Sequence, residues 1–173
     1  MKERLTTNSR KWFGILMAVL LYYILHEGAH LLAALCFDVF HQIRFMGIGV
    51  QIAARTELLT DLQTAVFCVV GSIASLIGAY VLVWAAKFIT KSGSKVLKAA
   101  GYYATIALLV LDPLYLSVLY RFVGGGDMNG ILLFGLPEIG VELVYGAIGV
   151  ANICIILKYI YPAYKKAFAG NGE

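Results

Sequence analysis

Long apolar stretches limit what this chain can fold into. The first runs from Trp12 to Phe37, and similar stretches follow at 62–89, 99–136 and 139–160. A helix of about 20 apolar residues spans the hydrocarbon core of a bilayer. Of the 173 residues, 61% are hydrophobic and only 14% are charged, whereas soluble domains are about a quarter charged. The sequence therefore predicts an all-α, multi-pass integral membrane protein with about four crossings in a single domain from 12 to 160.

The first stretch is predicted to be a retained helix and not a cleaved export signal. It is longer than the apolar core of a signal peptide, which has about 7–15 residues, and it contains ionisable side chains. Polar tails are expected at 1–11 and 161–173. The net charge of +4 comes without a basic run interleaved with aromatic residues, so nucleic-acid binding has no support.

Small residues inside the apolar stretches predict close helix packing. Gly71, Ser75 and Ala79 recur at four-residue spacing in the second stretch, which lets a neighbouring helix approach closely. A structural role is expected for them. The cysteines also lie in apolar segments, where packing is a better interpretation than a disulfide framework; they are Cys36, Cys68 and Cys154.

The segment between the first two stretches has a different pattern. Ile43 and Phe45 alternate with polar residues, and a second alternation follows Gly47. Period-two alternation interrupted by glycine predicts a short β-hairpin, here at about 41–54. An irregular interfacial loop is the alternative.

The third stretch is predicted to be broken at membrane depth. Asp112-Pro113 interrupts it, because proline removes a backbone donor, and the glycine-rich run 124–130 follows. Either a helix ends near Arg121 and a new one follows a loop, or a single crossing is broken in its middle and ends near Glu138. Irregular backbone within a bilayer must be buried in protein or line a wet cavity, so the second interpretation would build a site.

The chemistry is carried by His26-Glu27-Gly28-Ala29-His30, an H-E-x-x-H pattern inside the first stretch. On a helix, residues i and i+4 share a face, so both imidazoles can reach one tetrahedral zinc ion. Glu27 points about a third of a turn away and can act on water without ligating the metal. Zinc acidifies that water and polarises a carbonyl, and Glu27 takes the proton and delivers it to the leaving amine.

The membrane setting argues against a chance pattern. Each ionisable group in hydrocarbon costs about 2.5 kcal/mol or more, so His26, Glu27 and His30 need a partner or a cavity. Metal binding explains them better than a bare cluster of hydrogen bonds. One zinc ion per chain is therefore expected.

A catalytic zinc ion usually has three protein ligands and one open position, so a third ligand is required. The candidates are Asp112, Asp127, Glu138 and His41. At 1.5 Å per residue, His30 lies about 12 Å below the end of its helix, and Asp127 lies about 16 Å from an exit at Glu138. Asp127 is favoured because these depths agree and its glycine neighbours let the backbone bend. Asp112 also matches in depth if the crossing ends near Arg121, but it is expected to cap the proline break. His41 is expected to lie in the hairpin loop.

These features together resemble the site-2 protease family of intramembrane zinc metalloproteases: an H-E-x-x-H in a transmembrane helix, a β-like stretch after it, G-S-I-A-S in the next helix and a later glycine-flanked aspartate. The resemblance implies that His26, His30 and Asp127 bind zinc, with Glu27 as general base. It covers about 12–136, and because the chain leaves no room for a PDZ or CBS domain, a minimal member is expected. The family's G-P-x-x-N and leucine-aspartate-glycine motifs are altered in this chain.

The predicted function is zinc-dependent hydrolysis of a peptide bond in or near the transmembrane segment of a single-pass membrane protein. An unwound substrate could add to an exposed strand edge, for which Gln42–Phe45 and Ile48–Ala53 are the candidates. One alternative is a metal-binding membrane protein or transporter, and another is a non-catalytic relative, although an intact Glu27 favours catalysis. A transporter needs a polar path, for which few other intramembrane residues are available: Asp112, Arg121, Asp127, Glu142 and Asn152.

Charge asymmetry and resemblance disagree about orientation. Of the 14 lysine and arginine residues, 11 lie on the side of both termini and the 87–98 loop, so the positive-inside rule predicts cytosolic termini. The resembling family opens its zinc site to the cytosol, which implies the opposite orientation. We follow the charge count.

Overall fold

Four long helices dominate the computed structural model, which describes residues 7–47 and 49–169. Within that part of the chain, the helices long and apolar enough to cross a membrane are α1 (Thr7–Cys36), α2 (Asp61–Ile89), α3 (Lys95–Val123) and α5 (Glu138–Ala169). A shorter helix, α4 (Gly126–Ile131), precedes α5. The prediction of an all-α, multi-pass membrane protein with about four crossings and a small hairpin is confirmed.

The helices extend beyond their predicted ends. α1 begins at Thr7 and α3 at Lys95, because hydropathy marks the lipid-facing part of a helix and not its polar first turns. The last helix is predicted to end at about 160, but α5 continues to Ala169. Tyr164 is buried against α2 and α3, and Lys98 donates a hydrogen bond to the Ala167 carbonyl at 3.0 Å. These contacts hold the last turns in place.

Pro113 lies inside α3 and does not end it. The chain widens into a π-helical turn at Tyr115–Leu119, and the Ser117 hydroxyl donates to the Pro113 carbonyl at 2.5 Å. Such adjustments satisfy the backbone groups that proline frees in membrane helices. The break falls instead at Gly124, whose φ of +98° is a conformation that favours glycine. This matches the first interpretation, a helix to about Arg121 followed by a loop and a new helix.

The direction of each helix follows from its contacts. Gly14 of α1 lies against Ala99 of α3, and farther along both helices Tyr22 reaches Asp112, so α1 and α3 run in the same direction. The chain turns at the opposite end of the bundle between α1 and α2, and again between α3 and α5. Helices α2 and α5 therefore run in the opposite direction to α1 and α3. We call the end where α1 and α3 begin and α5 ends the basic face, and the opposite end the hairpin face.

The predicted β-hairpin is present on the hairpin face. Strand β1 (Phe40–Met46) pairs antiparallel with β2 (Gly49–Ala54), and Gly47 makes the turn with a φ of +63°. The buried side chain of Ile52 joins the same apolar cluster as α1 and α2. The hairpin thereby lies against α1, next to the H-E-x-x-H pattern.

Candidate metal centre

The two histidines of the H-E-x-x-H pattern meet inside the helix bundle. His26 and His30 are both buried on the same face of α1, and their Nε2 atoms lie 3.2 Å apart. Their spacing of four residues brings them one above the other. The Nδ1 atom of His30 lies 2.7 Å from the Phe67 carbonyl oxygen. Because that carbonyl accepts a hydrogen bond, Nδ1 carries the proton and Nε2 keeps its lone pair.

Asp127 completes a three-residue cluster with these histidines. Its Oδ2 lies 3.3 Å from Nε2 of His26, and its Oδ1 lies 3.7 Å from Nε2 of His30. The three ligand atoms lie within 4.8 Å of one another. Asp127 lies in the first turn of α4, and the turn at Gly124 and Gly125 directs it back towards α1.

The donor set fits zinc. Two atoms that each lie about 2.0–2.1 Å from a tetrahedral zinc ion are about 3.3 Å apart, and the nitrogen–nitrogen distance and the shorter nitrogen–oxygen distance match this. Two imidazole nitrogens and a carboxylate leave a fourth position open, as in catalytic zinc sites. His26, His30 and Asp127 could therefore hold the ion.

Asp112 lies on the other side of His26 from Asp127. Its Oδ1 is 3.2 Å from Nδ1 of His26, although the angle falls outside that of a hydrogen bond. Tyr22 donates a hydrogen bond of 2.7 Å to the same oxygen. Asp112 is fully buried, so its carboxylate costs free energy that a nearby cation or donor must offset. A carboxylate at Nδ1 holds the imidazole so that Nε2 faces a metal.

The remaining candidates for a third ligand lie away from the cluster. Glu138 accepts a hydrogen bond from Tyr120 and lies 3.7 Å from the Arg121 guanidinium. His41 is exposed on β1. Within the described residues, only Asp127 among the four candidates joins the histidines in a metal-sized group.

Glu27 and β2 line the same cavity, which has a volume of about 420 Å³. The Oε2 atom of Glu27 accepts a hydrogen bond of 2.8 Å from the Ile52 backbone N–H. His26, His30 and Asp127 line the same cavity. The carboxylate of Glu27 is thus held beside the three ligand atoms without being one of them.

The hairpin presents its free edge to this cavity through β2. In an antiparallel pair, alternate residues direct their backbone groups away from the partner strand. Ile52 does so towards Glu27, and Val50, two residues earlier, therefore shares this edge. Gly49, Val50, Gln51 and Ile52 line the cavity. An extended peptide could pair with this edge.

The sequence did not predict three features of the candidate metal centre. A Cβ atom on Gly71 would lie 2.5 Å from Nε2 of His30 and 2.9 Å from Nε2 of His26, so this glycine leaves space for the centre. Its place in the small-residue stripe was interpreted as packing alone. Tyr22 and the Ile52 N–H have no local sequence signal, because their partners are remote in the chain.

Comparisons of the chain with protein-family models, curated proteins and solved structures gave no match.

Proposed function

We propose that the protein is a zinc-dependent intramembrane endopeptidase that hydrolyses a peptide bond in or near the transmembrane segment of a membrane-protein substrate. The observation that carries the proposal is the meeting of His26, His30, Asp127 and Glu27 in one cavity of a membrane-embedded bundle. The proposal includes membership of the site-2 protease family, which the sequence resembles.

Each residue has a distinct role in the proposed reaction. His26, His30 and Asp127 hold the ion through the atoms that already converge. When bound, zinc supplies Lewis acidity, which polarises the scissile carbonyl and makes water a better nucleophile. Glu27 accepts the proton of the attacking water and delivers it to the leaving amine. The N–H of Ile52 positions the Glu27 carboxylate for both transfers.

The free edge of β2 is the proposed substrate platform. A transmembrane helix must unwind before its backbone can be attacked, and the unwound segment needs hydrogen-bond partners. Strand addition supplies them. Of the two candidate strands, β2 lines the cavity, and β1 pairs with it from the other side. We therefore assign the role to β2.

The remaining polar residues do not support the alternative that the protein is a transporter. Asn152 donates to the Leu109 carbonyl and accepts from Tyr80. Arg121 forms an ion pair with Glu142. Because these groups are engaged locally, they do not extend the cavity into a polar path across the described bundle.

The test uses purified protein reconstituted in liposomes with a panel of single-pass transmembrane peptides. Wild type is expected to hold one zinc ion per chain and to cleave at least one peptide, detected by mass spectrometry. Glu27→Gln should keep zinc and lose cleavage by about 100-fold or more. Asp127→Ala should lose zinc. Glu57→Gln is the matched control, because Glu57 is exposed on the turn after the hairpin.

Other outcomes select the alternatives. Full cleavage by Glu27→Gln would remove Glu27 as the base. Zinc flux across the liposome without cleavage would favour a transporter. Peptide binding by zinc-loaded wild type without cleavage would favour a non-catalytic relative.

A further inference from the structure

A second cavity, of about 740 Å³, opens at the basic face, away from the metal centre. It lies between the beginning of α1, the beginning of α3 and the last turns of α5. Arg10 lines it on α1 and is 16 residues from His26, which corresponds to about 24 Å along the helix. The cavity therefore belongs to a different part of the molecule.

Four cationic side chains line this cavity. They are Arg10, Lys11, Lys95 and Lys165. Among the described residues that line it, none is acidic. Lys11 and Lys165 are exposed. Because Arg10 and Lys95 also take part in other interactions, the exposed ammonium groups of Lys11 and Lys165 are the charges that attract an anion to this cavity.

Aromatic rings form the rest of the wall. Tyr102, Tyr103 and Phe168 line the cavity, and the Lys165 ammonium lies 5.7 Å from the centre of the Tyr161 ring. Tyrosine is enriched at the membrane–water interface, where an apolar ring and a polar tip face different surroundings. The wall therefore suits a ligand that is part charged and part apolar.

Tyr164 also lines the cavity, and its hydroxyl lies beside Gly101, which is not part of the lining. Its side chain is only 1% exposed, and its hydroxyl has no hydrogen-bond partner among the described residues. A buried hydroxyl without a partner is costly. Because it lies in the packing between α3 and α5, this hydroxyl has no assigned part in ligand binding.

We propose that this cavity binds the phosphodiester headgroup of an anionic phospholipid. The cavity lies where two membrane helices begin and a third ends, which is the level of lipid headgroups. Basic pockets between transmembrane helices recognise anionic headgroups. The aromatic wall favours a lipid over a free phosphate, because the glycerol and the first acyl carbons need apolar contact. This site is independent of the proposed protease function.

The test compares lipids by native mass spectrometry of the purified full chain in neutral detergent. Dioleoyl phosphatidylglycerol should bind in preference to dioleoyl phosphatidylcholine. The double variant Lys11→Gln/Lys165→Gln should bind phosphatidylglycerol about 30-fold more weakly, since each surface cation contributes roughly a tenfold or smaller factor. Lys87→Gln/Lys91→Gln is the matched control, because these exposed lysines remove equal charge near the same face without lining the cavity.

Three results would overturn the proposal that the cavity binds an anionic phospholipid. Equal binding of the two lipids, or an equal loss in the control pair, would overturn the proposal. Glycerol 3-phosphate that binds as tightly as phosphatidylglycerol would replace the lipid by a soluble phosphate compound and overturn it too. If the double variant does not elute as a monodisperse peak, the two single variants are compared, and each should weaken phosphatidylglycerol binding.

Discussion

Asp112 touches the imidazole of His26 on the ring edge opposite to Asp127. The Oδ1 of Asp112 lies 3.2 Å from Nδ1, whereas Oδ2 of Asp127 lies 3.3 Å from Nε2. His26 thus lies between two carboxylates in different surroundings. That of Asp112 is fully buried, and that of Asp127 lines the cavity. The first lies beside Nδ1, and the second lies beside Nε2, the nitrogen that would face a metal ion.

The first prediction concerns this orienting carboxylate. Asp112→Asn should lower zinc affinity by about 10–100-fold, because the second partner of a metal-binding histidine sets its tautomer and direction. Chelator competition on purified protein measures the effect, and circular dichroism checks the fold. Tyr22→Phe should act in the same direction and more weakly, since it removes one hydrogen bond to Asp112.

Asp61→Asn is the matched control for Asp112→Asn, because Asp61 is exposed at the start of α2. It should leave zinc affinity unchanged. Zinc affinity of the Asp112 variant equal to that of wild type would show that the carboxylate only fills space beside His26.

The second prediction concerns Gly71. Gly71→Ala should abolish zinc binding or weaken it strongly, because the added methyl carbon would lie 2.5 Å from Nε2 of His30. Overpacking of this kind also destabilises a folded protein by about 1–3 kcal/mol. Zinc content and the thermal unfolding midpoint are measured together.

Gly28→Ala provides the comparison for this variant. It lies within the H-E-x-x-H pattern, but an added Cβ would meet no atom within 4 Å. It should keep zinc and stabilise α1 slightly, since glycine costs about 1 kcal/mol in a helix interior. Equal zinc loss in both variants would contradict the proposed close contact at Gly71.

The third prediction concerns the backbone donor to Glu27. Ile52→Pro removes the N–H that holds the Glu27 carboxylate. This N–H points away from β1, so the ladder itself is preserved, as at other edge positions that accept proline. We expect kcat to fall about tenfold or more while zinc content is unchanged. Ile52→Val, which keeps the N–H and an apolar side chain, should retain kcat; a similar fall in both would assign the effect to packing.

The fourth prediction concerns orientation. Both described ends of the chain lie at the basic face, so tags at the two termini should give the same result. Protection of both tags in intact cells is expected from the positive-inside rule. Labelling of both tags by an impermeant reagent would instead support the orientation of the resembling family, with the metal centre open to the cytosol.

Sequence patterns predicted those features that depend on neighbouring residues. Apolar length identified the crossings, and the four-residue spacing of His26 and His30 placed both on one face of α1. Depth and glycine neighbours favour Asp127 among several candidates, and the resemblance implies the same residue. The link from Tyr22 through Asp112 to His26 was not predictable, because it joins residues 90 positions apart and depends on how α1 packs against α3.

The ends of helices were the least predictable part of the fold. The last turns of α5 are polar by composition, yet buried Tyr164 and the Lys98 hydrogen bond hold them to the bundle. Pro113 was expected to interrupt its helix, but a local π turn absorbs it. In both places, contacts between helices outweigh the local preference.

The turn of the chain at Gly124 also affects whether water and protons can cross the bilayer through the bundle. Asp127, Glu27 and β2 all reach the centre from one end of the bundle, while Ala79, Leu108 and Leu109 pack tightly on the other side of it. If the proposed hydrolysis takes place here, water that enters the cavity would meet this apolar cluster before it could reach the opposite leaflet. A cell could host such chemistry within its membrane without leaking protons.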